Sequence, residues 1–163
     1  MCPERAARDA TETDFEPLVL LWRDGWRDGH ADLVPAELAR LRTLENFRER
    51  LRRMLPRVRV MGLPGAPLGF HFVKEDELNQ FYVAAAARGS GLAQALLQDA
   101  ERQMTHAGIG CAWLACAIGN ARAARFYEKC GWSLAGVANV PTETSAGFFP
   151  LDVWRFEKRL MAE

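Results

Sequence analysis

The stretch that decides the fold is residues 81–93, FYVAAAARGSGLA. It opens with Phe81, Tyr82 and Val83, three residues that favour β-strands. Beyond its first residues, apolar side chains recur at the spacing of one helix face: Leu92, Leu96, Leu97, Ala100 and Met104. The stretch therefore predicts a strand, a turn of small residues and the first turns of a helix.

The predicted turn has the features of an anion-binding site. The first amides of a helix have no intrahelical partner, and the helix dipole adds positive potential there. Gly89 and Gly91 allow the backbone to approach a ligand closely, and Arg88 has the geometry to bind a phosphate in a bidentate manner. We interpret the turn as a phosphate cradle. A strand-to-helix turn that binds nothing is the simpler alternative.

The spacing of the motif distinguishes between phosphate ligands. A third glycine in register, as in the Rossmann fingerprint, is missing, and so is the Gly-Lys-Ser/Thr of a Walker A loop. The pattern Arg88-x-x-Gly91-x-Ala93 resembles the acetyl-CoA pyrophosphate loop of the GNAT (N-acetyltransferase) family. A second stretch, NARAARFYEKCGW at residues 120–132, is similar to that family's Asn and F-Y-E-K-x-G-F/W signature. The resemblance extends over residues 68–132.

The composition narrows the classes of function. Lysine plus arginine equals aspartate plus glutamate at 21 each, which disfavours nucleic-acid and membrane partners. No run of about 18 apolar residues and no signal-peptide pattern at residues 1–4 is seen. We therefore expect one cytoplasmic domain over residues 1–163. The cysteines lack zinc-site spacing, so we expect no metal; they are Cys2, Cys111, Cys116 and Cys130.

The order of predicted elements indicates an α/β fold. Helices are expected from Asp14 to Gly29, between Pro35 and Pro56, and over residues 90–105 and 121–129. Strands are expected over residues 5–10, 58–63, 68–73, 77–83, 109–117, 132–137 and 153–158. A capping box is expected at residues 13–16, a polar connection at 138–150, and burial of both faces of strand 109–117. The resemblance implies a mixed, mostly antiparallel sheet of about six to seven strands, flanked by about four helices.

The resemblance also implies where acetyl-CoA binds. Strands 77–83 and 109–117 would splay apart, with the pantetheine arm in the wedge and the pyrophosphate at the helix end. Val83 would be the backbone donor to the thioester oxygen or to a pantetheine amide. The implied cofactor-binding residues are Phe81, Tyr82, Val83, Arg88, Gly89, Ser90, Gly91, Leu92, Ala93, Asn120 and Tyr127.

The activity implied by the resemblance is direct transfer of an acetyl group from acetyl-CoA to a primary amine. Tyr127 would act as the general acid toward the thiolate, and Asn120 would bind the pantetheine arm, cap its helix, or do both. Glu77 is the first candidate for the base. Its rivals are Glu75, Asp76 and His71, and a water chain without a dedicated base is a further alternative.

The acceptor site is expected to involve the first two helices and the segment 138–150. Trp22 and Trp26 could bind the acceptor, although at spacing i, i+4 they could equally be core residues. Around them lie His30, Asp24 and Asp28, with Phe148 and Phe149 in the late segment. The arginines of residues 48–53 form either a solvated helix face or a site for an acidic acceptor or the cofactor's 3′-phosphate.

Two alternatives from other classes follow from these residues. One is a GNAT-fold module that binds acyl-CoA without catalysis, because no base stands out. The other is a nucleotide-binding protein of Rossmann type, which the missing third glycine disfavours. The acceptor would be a small molecule or a peptide amine, and exposed strand edges leave a homodimer open.

Overall fold

One seven-stranded sheet organises the molecule. The structure, a computed structural model, describes residues 5–161. The strands are β1 (Arg8–Asp9), β2 (Val58–Leu63), β3 (Ala66–Lys74), β4 (Glu77–Val83), β5 (Cys111–Ala117), β6 (Ser133–Thr144) and β7 (Gly147–Arg159). The helices are α1 (Phe15–His30), α2 (Ala36–Leu41), α3 (Leu44–Met54), α4 (Leu92–His106) and α5 (Ala121–Lys129).

The sheet is mixed and open, as predicted. Its strand order is β1-β2-β3-β4-β5-β7-β6. All neighbouring strands are antiparallel except β4 and β5, which are parallel because α4 connects them as a crossover. The bounds of β2, β4 and α5 agree with the sequence prediction. The described residues contain five α-helices, one more than predicted.

Helices cover both faces of the sheet. On one face the apolar sides of α1 and α3 pack on β2 and β3, around the fully buried side chains of Trp22, Phe47 and Phe70. On the other face α4 and α5 pack on β5 and β7, around Leu97 and Phe156. Because α1 lies over β3 and β4, the first face of the sheet is left open beside β5.

The predicted helix between Pro35 and Pro56 is two helices. Arg42 leaves the helical region at φ −85° and ψ 62°, which ends α2. Thr43 then caps α3, and its hydroxyl accepts a hydrogen bond from the Asn46 amide at 3.1 Å. The sequence did not predict this break, because the apolar residues keep the same helical spacing before and after it.

The segment 138–150 is not the polar connection that was predicted. It belongs to β6 and β7, which form a long hairpin closed by a turn at residues 145–146. Pro141 and Pro150 face each other in this hairpin, so their two missing N–H groups fall at a single position of the ladder. These prolines lie where the hairpin extends past the end of β5, so both of their strands are edge strands there.

Three smaller predictions were also wrong. The capping box lies at Thr11 and Asp14, not at residues 13–16, since Asp14 accepts a bond from the Thr11 amide at 2.9 Å. The first strand is shorter than residues 5–10. Strand β5 is not covered on both faces, because Cys111 and Ala115 are exposed on the open side.

Cys2 and the other residues of the 1–4 segment lie outside the described residues. Within residues 5–161 the three cysteines are free thiols, and no group of three or more metal-ligating side chains occurs. In the same range, none of the helices has the length and apolar content needed to cross a membrane. The expectation of no metal stays a prediction for the whole chain.

Candidate active site

Strands β4 and β5 separate after a single paired position and leave a cleft through the sheet. Glu77 pairs with Trp113, whose amide donates to the Asp76 carbonyl at 3.0 Å. Beyond this point Asn79 is an extra residue in β4, because Val73 faces Leu78 while the preceding residue of β3 faces Gln80. A bulge bends its strand, so β4 turns away from β5. The resulting cleft has a volume of about 920 Å³.

The backbone of Val83 faces this cleft. The Ala84 amide donates to the Leu68 carbonyl at 2.8 Å, and Gly69 stands opposite Val83. Antiparallel pairs alternate between bonded and non-bonded positions, so the Gly69–Val83 pair is a non-bonded one. The Val83 N–H therefore points away from β3 and toward β5, which does not pair with it among the described residues.

The turn between β4 and α4 has the geometry of an anion site. Gly89 and Gly91 have φ values of 77° and 85°, a left-handed conformation that favours glycine. A Cβ on either glycine would meet nothing within 4 Å, so the space beside them is open. Helix α4 begins at Leu92, two residues later than predicted, and its Ala93 and Gln94 amides find no backbone acceptor among residues 5–161.

The side chains of the cradle have different surroundings. Arg88 lines the cleft and forms an exposed ion pair with Asp28 of α1 at 3.1 Å. The Ser90 hydroxyl donates to the Ala87 carbonyl at 2.5 Å, which holds the turn. Leu92 is buried beside Leu96, so only its backbone is available to a ligand. Ligand binding by Arg88 would compete with its bond to Asp28.

Tyr127 lines the cleft from α5. Its ring is packed among aromatic side chains, with centroid distances of 5.9 Å to Phe156 and 6.3 Å to Phe81. Burial raises the pKa of the Tyr127 hydroxyl well above its usual value, and the neighbouring Cys116 adds to this. The hydroxyl therefore keeps its proton at neutral pH, as a general acid requires.

Asn120 caps α5. Its side-chain oxygen accepts a bond from the Ala123 amide at 3.2 Å, and its side-chain nitrogen donates to the Gly29 carbonyl at 3.4 Å. The oxygen and the nitrogen of the Asn120 side-chain amide thus together join the end of α1 to the start of α5. Asn120 also lines the cleft, so its capping role and a ligand contact are compatible.

Of the four candidate bases, only Glu77 lines the cleft. Burial raises the pKa of its carboxyl group, and Asn79 donates to it at 2.8 Å. Glu75 lies in the exposed turn after β3, and Asp76 accepts from the Trp113 indole at 3.1 Å. His71 lies away from the cleft: it is fully buried and bonds Asp99 at 2.8 Å.

The two tryptophans of α1 have different positions. Trp26 lines the cleft and stacks on His30, with ring centroids 5.5 Å apart. Trp22 is fully buried in the core and does not line the cleft, so the structure gives no support for substrate binding by its side chain. Asp24 and Asp28 also point elsewhere, to ion pairs with Arg23 and Arg88.

Of the late aromatic pair, Phe148 lines the cleft and Phe149 does not. Phe148 is 74% exposed, so most of its ring remains accessible to solvent. Val140 and Thr142 of β6 also line the cleft from this side. The end of the β6–β7 hairpin therefore forms one wall, at the place where the sequence predicted a connection.

Arg42 and Arg50 form an arginine wall of the cleft. Sequence reasoning missed Arg42, whereas Arg50 is one of the arginines for which a site for an acidic acceptor or the 3′-phosphate was an alternative. Arg42 and Arg50 are 7% and 9% exposed and line the cleft, although a solvated helix face was one interpretation of the arginines at 48–53. The signal was present, since Arg50 stands three residues after Phe47 and so lies on the buried stripe. His30 faces this wall, and burial, followed by the two arginines, lowers its pKa to about 4.

Comparison with known proteins relates the chain to acetyltransferases. Residues 35–132 match the model of the acetyltransferase (GNAT) family. The search of curated proteins found no match.

Several solved structures have the same fold. A GCN5-related N-acetyltransferase from Rhodopseudomonas palustris is 21% identical with a TM-score of 0.72, covering 95% of both chains. PaiA N-acetyltransferase from Thermoplasma acidophilum, solved with coenzyme A, is 20% identical with a TM-score of 0.72, covering 94% of this chain and 98% of its own. Ribosomal-protein-alanine N-acetyltransferase from Brucella melitensis is 20% identical with a TM-score of 0.70, covering 95% and 99%.

Proposed function

Because the chain belongs to the GNAT acetyltransferase family, we propose that it is an acetyl-CoA-dependent N-acetyltransferase acting on a primary amine. Acetyl-CoA is the acetyl donor of this family, and the donor and the amine would be bound together, with no covalent enzyme intermediate. The acceptor is a small molecule or a peptide. A structural neighbour named ribosomal-protein-alanine N-acetyltransferase supports the peptide option only by analogy.

One observation carries this proposal: the same cleft contacts the anion cradle, the open backbone edge of β4 and the Tyr127 side chain. The cradle offers free amides and Arg88 for a pyrophosphate. The edge at Val83 offers an N–H that no strand within residues 5–161 uses. A long, flexible thioester with phosphates at one end fits this series of groups, and a neighbour solved with coenzyme A is consistent with it.

Three residues of the cleft have defined tasks in the proposed reaction. The Val83 N–H would stabilise negative charge on the thioester oxygen as the amine nitrogen attacks the carbonyl carbon. Glu77, whose pKa is raised by burial, would accept through bound water the proton that the ammonium must lose before attack, because about 20 Å of extended strand separates it from Val83. When the carbon–sulfur bond breaks, Tyr127 would give its proton to the leaving thiolate. The second proton that the nitrogen loses as the amide forms would return to Tyr127. Acetyl-CoA supplies the activated acyl group, and no metal enters this scheme.

Calorimetric titration with acetyl-CoA, with NAD and ATP as controls, tests the proposal. We expect acetyl-CoA alone to bind, and thiol release to follow when a panel of amines is added. Binding without turnover of any amine would favour the non-catalytic acyl-CoA-binding module. No binding by the folded protein would reject the enzyme function, and binding of NAD or ATP instead would favour a nucleotide-binding protein.

A further inference from the structure

A cluster of positive charge lies at the end of the cleft formed by α2, α3 and the β6–β7 hairpin. Arg42, Arg50 and Arg53 line this end, and Glu143 is the only carboxylate among the described residues that lines it with them. The chain as a whole has no net charge. The excess of positive over negative charge is therefore local to this end of the cleft.

Arg50 is buried without a counter-ion. Its side chain is 9% exposed, and its guanidinium carbon lies 4.4 Å from the centroid of the Trp22 ring. Within residues 5–161 it forms neither an ion pair nor a side-chain hydrogen bond. Burial, followed by repulsion from Arg42, lowers its pKa to about 9, so it stays positively charged at neutral pH. A buried, unpaired charge destabilises a fold, which makes a purely structural role for Arg50 unconvincing.

Arg42 is paired only with neutral groups. It donates to the Asn46 side chain at 2.8 Å and to the main-chain carbonyl of Glu143 at 2.6 Å. Its Nε is buried and has no partner in the described part of the chain. The Glu143 carboxylate is bound by Arg53 instead. Among residues 5–161, neither Arg42 nor Arg50 therefore forms an ion pair, although the nearby Glu143 carboxylate partly offsets the lowering of their pKa values.

Two neutral polar side chains complete this end of the cleft. His30 is half-buried, its Nδ1 has no partner within residues 5–161, and its ring centroid lies 6.3 Å from that of Tyr82. Burial raises the pKa of Tyr82 to about 12, so both side chains are uncharged at neutral pH. Tyr82 precedes Val83 directly in β4. The arginine cluster is thus beside the backbone edge at which acetyl transfer is proposed.

From this arrangement we infer that the acceptor amine also carries a carboxylate, which Arg42 and Arg50 bind. The inference rests on the proposed acetyltransferase function. A planar guanidinium binds a carboxylate through paired hydrogen bonds, and such charge-assisted bonds are stronger in a buried site. The acceptor class is therefore that of amino acids, with the carboxylate on the arginines and the amine directed toward Val83.

The position of the cluster argues against the cofactor's 3′-phosphate as its ligand. Arg50 and Trp22 belong to the face of the sheet covered by α1 and α3. The cradle, by contrast, is the N-terminus of α4, which packs on the opposite face. Arg88, which belongs to the cradle, and Arg122 of α5 also line the cleft. Comparison of coenzyme A with dephospho-coenzyme A distinguishes a 3′-phosphate site at Arg50 from a carboxylate site.

The test compares amino acids with the corresponding amino-acid amides, which keep the amine and lose the carboxylate. Steady-state thiol release is measured for the wild-type protein, Arg50→Gln, Arg50→Lys and the control Arg48→Gln, whose arginine pairs with Glu16 on the outer side of α3. We expect Arg50→Gln to raise KM for the acids by about tenfold or more, the size expected for a lost charge-assisted bond. Turnover of the amides should be unchanged, Arg50→Lys should recover part of the loss, and Arg48→Gln should match the wild type.

Binding assays keep this inference separate from the catalytic proposal. Melting temperatures are measured with coenzyme A plus N-acetyl-L-phenylalanine or N-acetyl-L-methionine, each beside its amide. Stabilisation by the acids alone, lost in Arg50→Gln, would support the carboxylate site even if no amine is turned over. If acids and amides gave the same KM and the same shift in melting temperature, the inference would be overturned and the acetyltransferase function would be left standing. Weaker binding of coenzyme A but not of dephospho-coenzyme A to Arg50→Gln would assign Arg50 to the 3′-phosphate and also overturn it.

Discussion

His30 should make the fold sensitive to mild acid. Its side chain lies against Trp26 and faces Arg42 and Arg50, and its pKa in the folded protein is lowered from 6.5 to about 4. The unfolded chain therefore binds a proton at His30 between pH 6.5 and 4, whereas the folded chain does not. Since stability rises with pH wherever the unfolded state binds more protons, stability should fall as the pH drops through this window.

The size of the effect follows from the two pKa values. A difference of about 2.5 units corresponds to about 3 kcal/mol when it is fully expressed below pH 4. At pH 5 about 2 kcal/mol of this is lost relative to pH 7.5. Other groups also titrate in this range, among them Glu77, whose raised pKa acts in the opposite direction. The contribution of His30 is therefore taken as a difference between variants.

Urea unfolding of the wild type and of His30→Gln from pH 7.5 to 4.5 measures this difference. Losing the Trp26 stack should lower stability by a similar amount at every pH, whereas the acid-dependent loss should shrink by about 2 kcal/mol at pH 5. His106→Gln, which changes an exposed histidine at the end of α4, is the control and should follow the wild type. Parallel stability curves for His30→Gln and the wild type would show that the histidine is not held neutral by its surroundings.

Three further variants test the site and the core. Tyr127→Phe keeps the packed ring and removes the proton donor, so kcat in the thiol-release assay should fall by about 10²-fold or more; an unchanged kcat would remove Tyr127 as the acid. Gly91→Glu places a side chain and a negative charge in the open space of the cradle, so calorimetry should detect no acetyl-CoA binding. Asp99→Asn removes the carboxylate that pairs with His71 and Arg59, so urea unfolding should show a loss of about 2–4 kcal/mol, with kcat of the folded protein unchanged.

The last two of these variants need controls. Gly108→Glu adds the same charge at the other end of α4, at a glycine with a φ of 83° and no neighbour within 4 Å. This variant carries backbone strain similar to that of Gly91→Glu but lies at the far end of α4 from the cradle. We therefore expect it to bind acetyl-CoA normally. Loss of binding in both variants would trace the effect to strain. A fall in kcat for Asp99→Asn would return His71 to the list of groups that affect catalysis.

Much of the fold follows from local sequence signals. Local signals placed β2, β4 and α5 at their observed bounds, because the side-chain pattern of each segment lies within it. Pro64 follows β2, a charged bend at residues 74–76 precedes β4, and Gly131 follows α5. The strand–turn–helix reading of residues 81–93 also agrees with the structure. The errors fell where a tertiary contact overrode the pattern, as at Arg42, whose buried side chain bonds Asn46 and the distant Glu143 carbonyl.

The residues of the candidate site divide in the same way. The cradle glycines, Asn120 and Tyr127 belong to short motifs whose geometry is local, so the sequence identified them, although their roles toward acetyl-CoA remain predictions. The register of β3 and β4 turns the Val83 N–H toward β5. This register depends on the bulge at Asn79, which no residue pattern predicted. The separation of Trp22 from Trp26 likewise depended on which side of α1 faces the sheet.

By itself, the sequence determined the family, the order of most elements and the position of the turn that is predicted to bind phosphate. These depend on neighbours along the chain, through hydrogen bonds and apolar spacing within a few residues. Only the tertiary structure decided which base candidate reaches the cleft, and that two arginines line it without an ion-pair partner among residues 5–161. Burial and unpaired charge are properties of residues brought together from α1, α3, β4 and the β6–β7 hairpin, and a linear pattern does not contain them.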